Sequence, residues 1–272
     1  MPMREKYARS GLSPDGTWYE ISGSESAEVP VVMIHGVGLD HTMWEPQMAA
    51  LEASYCVVRY DMLGHGRSES RPVDDITTFV TQLEELLAYL NVDELHLVGL
   101  SMGGVISQAF AGASPSRLRT LVLMNTVYRR TEEELAGMRR RLQLTRDEGL
   151  APVAAAAVDR WFDDAFRQQF PERVETIRSK LLANDVKAYT AAYAALVEAD
   201  AIVRDALKHV RCPALVLTGE NDPGSTPAIA KRMVDDLDNA ELAILPGLHH
   251  LASWEAPQTV NPRIVEFLKA NH

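Results

Sequence analysis

Along the first half of the chain, short unbroken apolar runs alternate with stretches where apolar residues recur at helical spacing. The runs lie at 29–34 (Val-Pro-Val-Val-Met-Ile), 55–60 (Tyr-Cys-Val-Val-Arg-Tyr), 94–98 and 118–124. Each has the length and continuity expected of a strand buried on both faces of a parallel sheet. Between them, residues 43–52, 77–90 and 105–113 read as helices, and Phe79, Leu83, Leu86, Leu87 and Leu90 fall on one helical face. Ahead of this series, runs at 5–9 and 17–21 are joined through Ser13-Pro14-Asp15-Gly16, whose turn chemistry predicts a hairpin.

The pattern changes after Asn125-Thr126. From 129 to 207 there is no strand-like run, only helical periodicity rich in Ala, Arg, Leu and Glu. Alternation returns with a strand at 214–217, a helix over 227–237, a strand at 241–245 and a closing helix over 257–270. Pro262 is expected to kink that last helix or displace its start, because its ring removes an N–H. Strands alternating with helices imply an α/β fold, a mostly parallel sheet covered on both faces. The core is expected to comprise 1–128 and 208–272. Residues 129–207 are expected to form a helical cap over the carboxyl ends of the strands, where such sheets place their sites.

A chain of 272 residues suits one such domain with an insertion. Its formal net charge of −11 argues against nucleic acid or an anionic membrane surface as a partner. No apolar run is long enough to span a bilayer, and the first residues lack the apolar core of a signal peptide, so a cytoplasmic protein is expected. Cys56 and Cys212 sit at the edges of apolar runs and read as buried, reduced thiols.

The chemistry centres on Gly99-Leu100-Ser101-Met102-Gly103-Gly104, set between a strand and a helix. A strand that turns abruptly into a helix at G-x-S-x-G is a nucleophile elbow, with the serine on a strained turn above the strand ends. An isolated match would mean little, since a capping serine at an ordinary strand-to-helix turn reads alike. A serine also needs a base and an orienting acid, in the chain order Ser…Asp…His for this architecture. Asp222 follows the strand at 214–217, with Glu220 as the competing carboxylate, and His249 and His250 follow the strand at 241–245. Two N–H donors must bind the oxyanion. Met102, directly after the serine at a helix N-terminus, supplies one; Val37, in the His35-Gly36-Val37-Gly38 loop, is chosen for the other. His35 precedes the elbow in the chain and reads as a brace for that loop rather than the base.

These stretches resemble the α/β-hydrolase family. The matching segments are His-Gly-Val-Gly at 35–38, Asp-Met-Leu-Gly-His-Gly-Arg-Ser at 61–68, Gly-Leu-Ser-Met-Gly-Gly at 99–104 and Gly-Glu-Asn-Asp at 219–222. In the family's histidine loop the catalytic residue stands five before a Glu-x-Pro, and that register selects His250 through Glu255-Ala256-Pro257. The histidine loop and the stretches at 159–166, 181–185 and 189–200 resemble 3-oxoadipate enol-lactonases. The resemblance implies a small-molecule substrate, no cofactor and hydrolysis of a ring ester through an acyl-enzyme on Ser101. Such a substrate would carry a carboxylate, so a cation near the pocket is wanted; Arg129, Arg130 and Arg160 are candidates. Trp161 reads either as pocket lining or as cap core. Two other activities are carried by resembling folds: carbon–carbon bond hydrolysis of a ring-cleavage diketone, and ligand binding without turnover. Serine at the elbow disfavours dehalogenase or epoxide-hydrolase chemistry, which uses aspartate there.

Overall fold

The computed structural model describes residues 9–24 and 27–271. Its single sheet has eight strands in the order β1-β2-β4-β3-β5-β6-β7-β8. They are β1 (Ser10–Leu12), β2 (Trp18–Gly23), β3 (Val31–Ile34), β4 (Cys56–Tyr60), β5 (Leu95–Leu100), β6 (Leu118–Met124), β7 (Ala214–Gly219) and β8 (Ala240–Leu245). β2 runs antiparallel to β1 and to β4, and every later pairing is parallel. The expected N-terminal hairpin forms one step later than the apolar pattern suggested. β1 starts at Ser10, and the proposed strand at 5–9 lies outside the described residues except for Arg9.

The strands are continuously apolar because successive side chains feed two cores. From β3, Val32 and Ile34 join one cluster with Leu83 and Leu86 of α2 (Thr77–Leu90) and Val105 and Phe110 of α3 (Met102–Ala113). Val31 and Met33 join the other, with Trp44 and Met48 at α1 (Glu45–Leu51) and Ile264 and Phe267 of the closing helix. Alternation along a pleated strand, with helices on both faces, requires apolar residues at every position.

Between β6 and β7 the chain is helical. It forms α4 (Glu132–Glu148), α5 (Leu150–Trp161), α6 (Asp164–Gln169), α7 (Pro171–Leu182), α8 (Val186–Glu198) and the short α9 (Asp200–Val203). Thr131 and Glu134 make a reciprocal capping box that starts α4. This insertion packs on loops beyond the carboxyl ends of β3 and β8. Lys180 pairs with Asp40 at 2.7 Å, Asn184 Nδ2 donates to the Gly38 carbonyl at 2.8 Å, and Arg173 donates to the Trp254 carbonyl.

After β7 come α10 (Pro227–Asp235), α11 (Ala252–Glu255) and α12 (Pro257–Ala270). Pro262 lies inside α12 and does not displace its start, the second of the two outcomes expected of it. Pro257 already opens the helix with a preset backbone, and Val260, Ile264, Phe267 and Leu268 anchor it in the core. Cys56 is buried as expected, but Cys212 is only half-buried, because it precedes β7 on the connection from the insertion. None of the described helices is long and apolar enough to cross a membrane.

Arg130 locks the start of the insertion to its end. Its side chain is 1% exposed; Nε donates to Asp200 Oδ2 at 2.6 Å, and Nη2 donates to the Leu196 and Val197 carbonyls. Removing one member of a buried pair leaves the other charge uncompensated. Arg130→Leu is expected to lower the unfolding free energy by about 3 kcal/mol in urea melts. The double variant Arg130→Leu/Asp200→Leu should lose less than the sum of the two single changes.

Candidate active site

β5 is buried along its whole length and passes directly into α3, leaving Ser101 as the single hinge residue. Ser101 has φ 56° and ψ −117°, a conformation that L-residues rarely adopt. Neighbouring glycines make this turn sterically feasible. A Cβ at Gly99 would lie 2.4 Å from the Gly103 carbonyl oxygen, and one at Gly103 would lie 2.3 Å from the Ile34 carbonyl oxygen. The turn is further held by Ser101 N–H donating to the Met124 carbonyl at 2.9 Å and by the Thr126 hydroxyl donating to the Ser101 carbonyl at 2.6 Å.

Above the turn, three of the residues singled out in the sequence come together. His250 Nε2 lies 3.0 Å from Ser101 Oγ, and His250 Nδ1 lies 2.7 Å from Asp222 Oδ2. A carboxylate can only accept, so Nδ1 carries the proton and Nε2 is left to accept from the serine hydroxyl. Asp222 is 2% exposed. Its Oδ2 also accepts from Asn125 Nδ2 at 3.0 Å, and its Oδ1 accepts from the Gly224 and Ser225 N–H groups at 2.9 and 3.0 Å. Burial alone would raise this carboxyl, but His250 beside it and these hydrogen bonds outweigh burial and hold it well below the usual carboxylate range. It stays ionised and fixes the imidazole's orientation.

The rival residues lie elsewhere. Glu220 is exposed and caps the Gly247 N–H at 3.0 Å. His249 gives its backbone to the frame: its carbonyl accepts from Asn125 and its N–H donates to Glu255. His35 braces its loop, with Nε2 accepting from the Met62 N–H at 2.9 Å and Nδ1–H donating to the Gly36 carbonyl at 2.8 Å. Burial lowers its pKa, so it remains neutral.

Val37 lines the same cavity as Ser101 and His250. Its N–H meets no acceptor among the described residues, and the N–H of Met102, first in α3, has no acceptor within its helix. Loop and elbow are in contact, since a Cβ at Gly36 would stand 3.4 Å from Ser101 Cβ.

The cavity encloses about 80 Å³ between the elbow and the insertion. Trp161 lines it and lies against the His250 ring, with centroids 5.7 Å apart; it also packs against both cores, so the two readings offered for it hold together. Of the three arginines considered, Arg160 lines the cavity. Arg129 does not; it pairs with Asp205 and Asp236, while Arg130 is the buried lock described above. Two contributors were missed. Asn125, left-handed at φ 44° just past β6, bridges Asp222 to the histidine loop. Arg141 lines the cavity with Met138; it shares a helical stripe with the buried Met138, Leu142 and Thr145, a phase readable in the sequence.

Asp40, His41 and Asp61 approach one another closely enough to suggest a cation site, but their ligand atoms are already committed. The Lys180 ammonium reaches both Asp40 oxygens, and Asp61 Oδ1 accepts from the His41 N–H and ring.

A strand-to-helix elbow on an eight-stranded, mostly parallel sheet, facing a histidine and an aspartate from later loops, defines the α/β-hydrolase class. The chain belongs to the alpha/beta hydrolase family, which it matches over residues 31–263, and it is a hydrolase. It is 32% identical to 3-oxoadipate enol-lactonase 2 of Acinetobacter baylyi over 88% of both chains. It is 30% identical to the (E)-2-((N-methylformamido)methylene)succinate hydrolase of the same organism, over 88% of this chain and 90% of the relative. Among solved structures, the enol-lactonase of Burkholderia xenovorans superposes with a TM-score of 0.87 at 29% identity, over 93% of this chain and 96% of the other.

The elbow's strain is testable apart from activity. Glycine adopts the Ser101 backbone conformation without strain, whereas alanine, like serine, adopts it at a cost. Ser101→Gly should therefore be more stable than Ser101→Ala by about 1 kcal/mol, strain relief exceeding the added chain entropy. Paired thermal melts check the order.

Proposed function

We propose that the protein is a serine hydrolase that cleaves a small carboxylic ester, an enol-lactone being the leading substrate class. The observation that carries this reading is the continuous hydrogen-bonded chain from Ser101 through His250 to the buried, ionised Asp222 at 3.0 and 2.7 Å. The order and roles match those required for acyl transfer.

In the proposed reaction the ester carbonyl sits against Ser101, its oxygen facing the free N–H groups of Val37 and Met102. Ser101 Oγ attacks as His250 Nε2 takes its proton, and Asp222 stabilises the imidazolium that forms. The negative charge on the tetrahedral oxygen is met by two amides, each worth about 3 kcal/mol to the transition state; the Met102 amide adds the positive end of the α3 dipole. His250 returns the proton to the leaving oxygen. From a lactone the leaving enol stays tethered to the acyl group, and its conversion to a ketone draws the reaction forward. Water, deprotonated by His250, then releases the acid. These are acyl and proton transfers only, and no step calls for a cofactor.

We assign residues 129–207 as the cap that closes this site. The small cavity beneath it favours a compact substrate, and Trp161 against His250 would exclude water from the imidazole face. The relatives' names support the class, since both refer to derivatives of short dicarboxylic acids, adipate and succinate.

A fluorophosphonate probe is expected to label the folded protein on Ser101, detected by peptide mass spectrometry. Ser101→Ala and His250→Ala should each lower kcat on a small lactone by about 10³-fold or more, whereas His249→Ala retains activity. No adduct on Ser101 would indicate a binding protein rather than a hydrolase. Faster turnover of a ring-cleavage diketone than of an enol-lactone would overturn the ester reading.

A further inference from the structure

We propose that Asn125 is a positioning residue that couples the acid loop to the histidine loop and sets how firmly Asp222 holds the His250 proton. The proposal rests on the serine-hydrolase reading above for the reaction it serves, and on hydrogen-bond geometry alone for the coupling.

The side-chain amide sits between two acceptors. Its Nδ2 donates one hydrogen to Asp222 Oδ2 at 3.0 Å and the other to the His249 carbonyl at 3.1 Å. Turned over, the amide would bring its own oxygen against a carboxylate and a carbonyl, so the neighbours fix its orientation. Asn125 is fully buried, and its Oδ1 meets no donor among the described residues. A buried acceptor left without a donor costs stability. What the amide contributes therefore comes through Nδ2.

Few side chains suit the position. The backbone is left-handed at φ 44°, which asparagine adopts more readily than most residues. A serine or threonine hydroxyl has one hydrogen for two acceptors, and an ionised aspartate has none. The Asn125 N–H is itself bonded to the Leu217 carbonyl of β7 at 2.8 Å, and the next residue, Thr126, holds the Ser101 carbonyl. The two residues that follow β6 thus reach the nucleophile turn, the acid loop and the histidine loop.

The electrostatic consequence follows from a shared oxygen. Asp222 Oδ2 accepts from His250 Nδ1 and from Asn125 at once, while Oδ1 accepts from two amides. Burial raises the Asp222 carboxyl; the His250 charge and hydrogen bond, followed by the Asn125 hydrogen bond, bring it down. Each donor draws negative charge from the carboxylate, so Asn125 moderates the pull of Asp222 on the imidazole. Asn125 does not line the cavity. It acts on the reaction through Asp222 and His250 and not by touching substrate.

Two variants test this. Asn125→Gly removes the amide and keeps the left-handed backbone, and Asn125→Asp keeps the shape but puts an acceptor in place of the donor. On a small lactone, Asn125→Gly is expected to lower kcat by about 10- to 100-fold while KM stays within about threefold. The acid limb of kcat/KM should move to higher pH, because an Asp222 with one donor fewer holds the imidazolium more tightly. Asn125→Asp should show both effects more strongly. The other titratable groups around the imidazole are His249 and Glu255 in its own loop and Arg141, Arg160, Tyr189 and Tyr193 across the cavity; none makes a side-chain hydrogen bond to Asn125. Variants that lose only thermal stability, or only raise KM, overturn the proposal. Proton NMR of the free protein reads the coupling without turnover. The His250 Nδ1 proton, bonded to a buried carboxylate, should give a low-field resonance that moves further downfield in Asn125→Gly. A resonance absent from the wild type, unmoved in the variant or moved upfield overturns the proposal. If it moves as expected but the wild type cleaves no ester, the hydrolase reading fails and the positioning role stands. If esters are cleaved and Asn125→Gly alters neither kcat nor the resonance, the positioning role fails and the hydrolase reading stands.

Discussion

The contact on which the rest of the molecule depends is the seating of α3 against β3, where Gly103 rests on the carbonyl of Ile34. That approach leaves no room for a side chain, and it fixes the angle at which the chain leaves β5. Ser101 must absorb the change of direction in one residue, hence its φ of 56°. The strain is sustained because both flanking elements are immobilised: β5 by two cores, α3 by its apolar face. Each other part of the site is placed relative to this corner. The 35–38 loop touches it from β3, Asn125 and Thr126 reach it from β6, Asp222 from β7 and His250 from β8.

This arrangement explains how the sequence could be read. Parallel strands buried on both faces need unbroken apolar runs, so most strands were visible without knowledge of their order. Residues just past such runs lie at one end of the sheet, which is why Ser101, Asp222 and the histidine pair could be singled out across long separations. Periodicity alone could not choose between His249 and His250, because neighbours in a loop have no fixed phase; the family register was needed. Geometry now separates them: the His250 ring meets Ser101, whereas His249 is tied to the frame through its backbone. Asn125 went unnoticed because an asparagine after a strand is common turn chemistry, and its two bonds to distant loops leave no local trace.

The insertion was legible as helices but not as a surface. Which side of each helix meets the sheet depends on packing among α4, α5, α7 and α8. Arg129, Arg130 and Arg160 therefore looked equivalent in sequence while having three different fates: a surface pair, a buried lock and a cavity wall. The core thus carries elements common to the fold, and the insertion supplies much of the cavity's lining. Of the two, the lining is encoded in helical phase and long-range packing, the less readable signals.

The segment from His35 to Asp40 is fastened at both ends. On the sheet side the His35 ring is clamped between the Met62 amide and the Gly36 carbonyl, and on the roof side Lys180 grips Asp40 while Asn184 grips the Gly38 carbonyl. The Val37 amide between these anchors has little freedom to rotate. A dipole held this way does not have to turn when charge appears beside it, as water molecules would. For the proposed reaction, in the language of electron and proton transfer, the reorganisation energy would have been spent during folding. The ion pair between Asp40 and Lys180, remote from Ser101, is part of what keeps that dipole aimed.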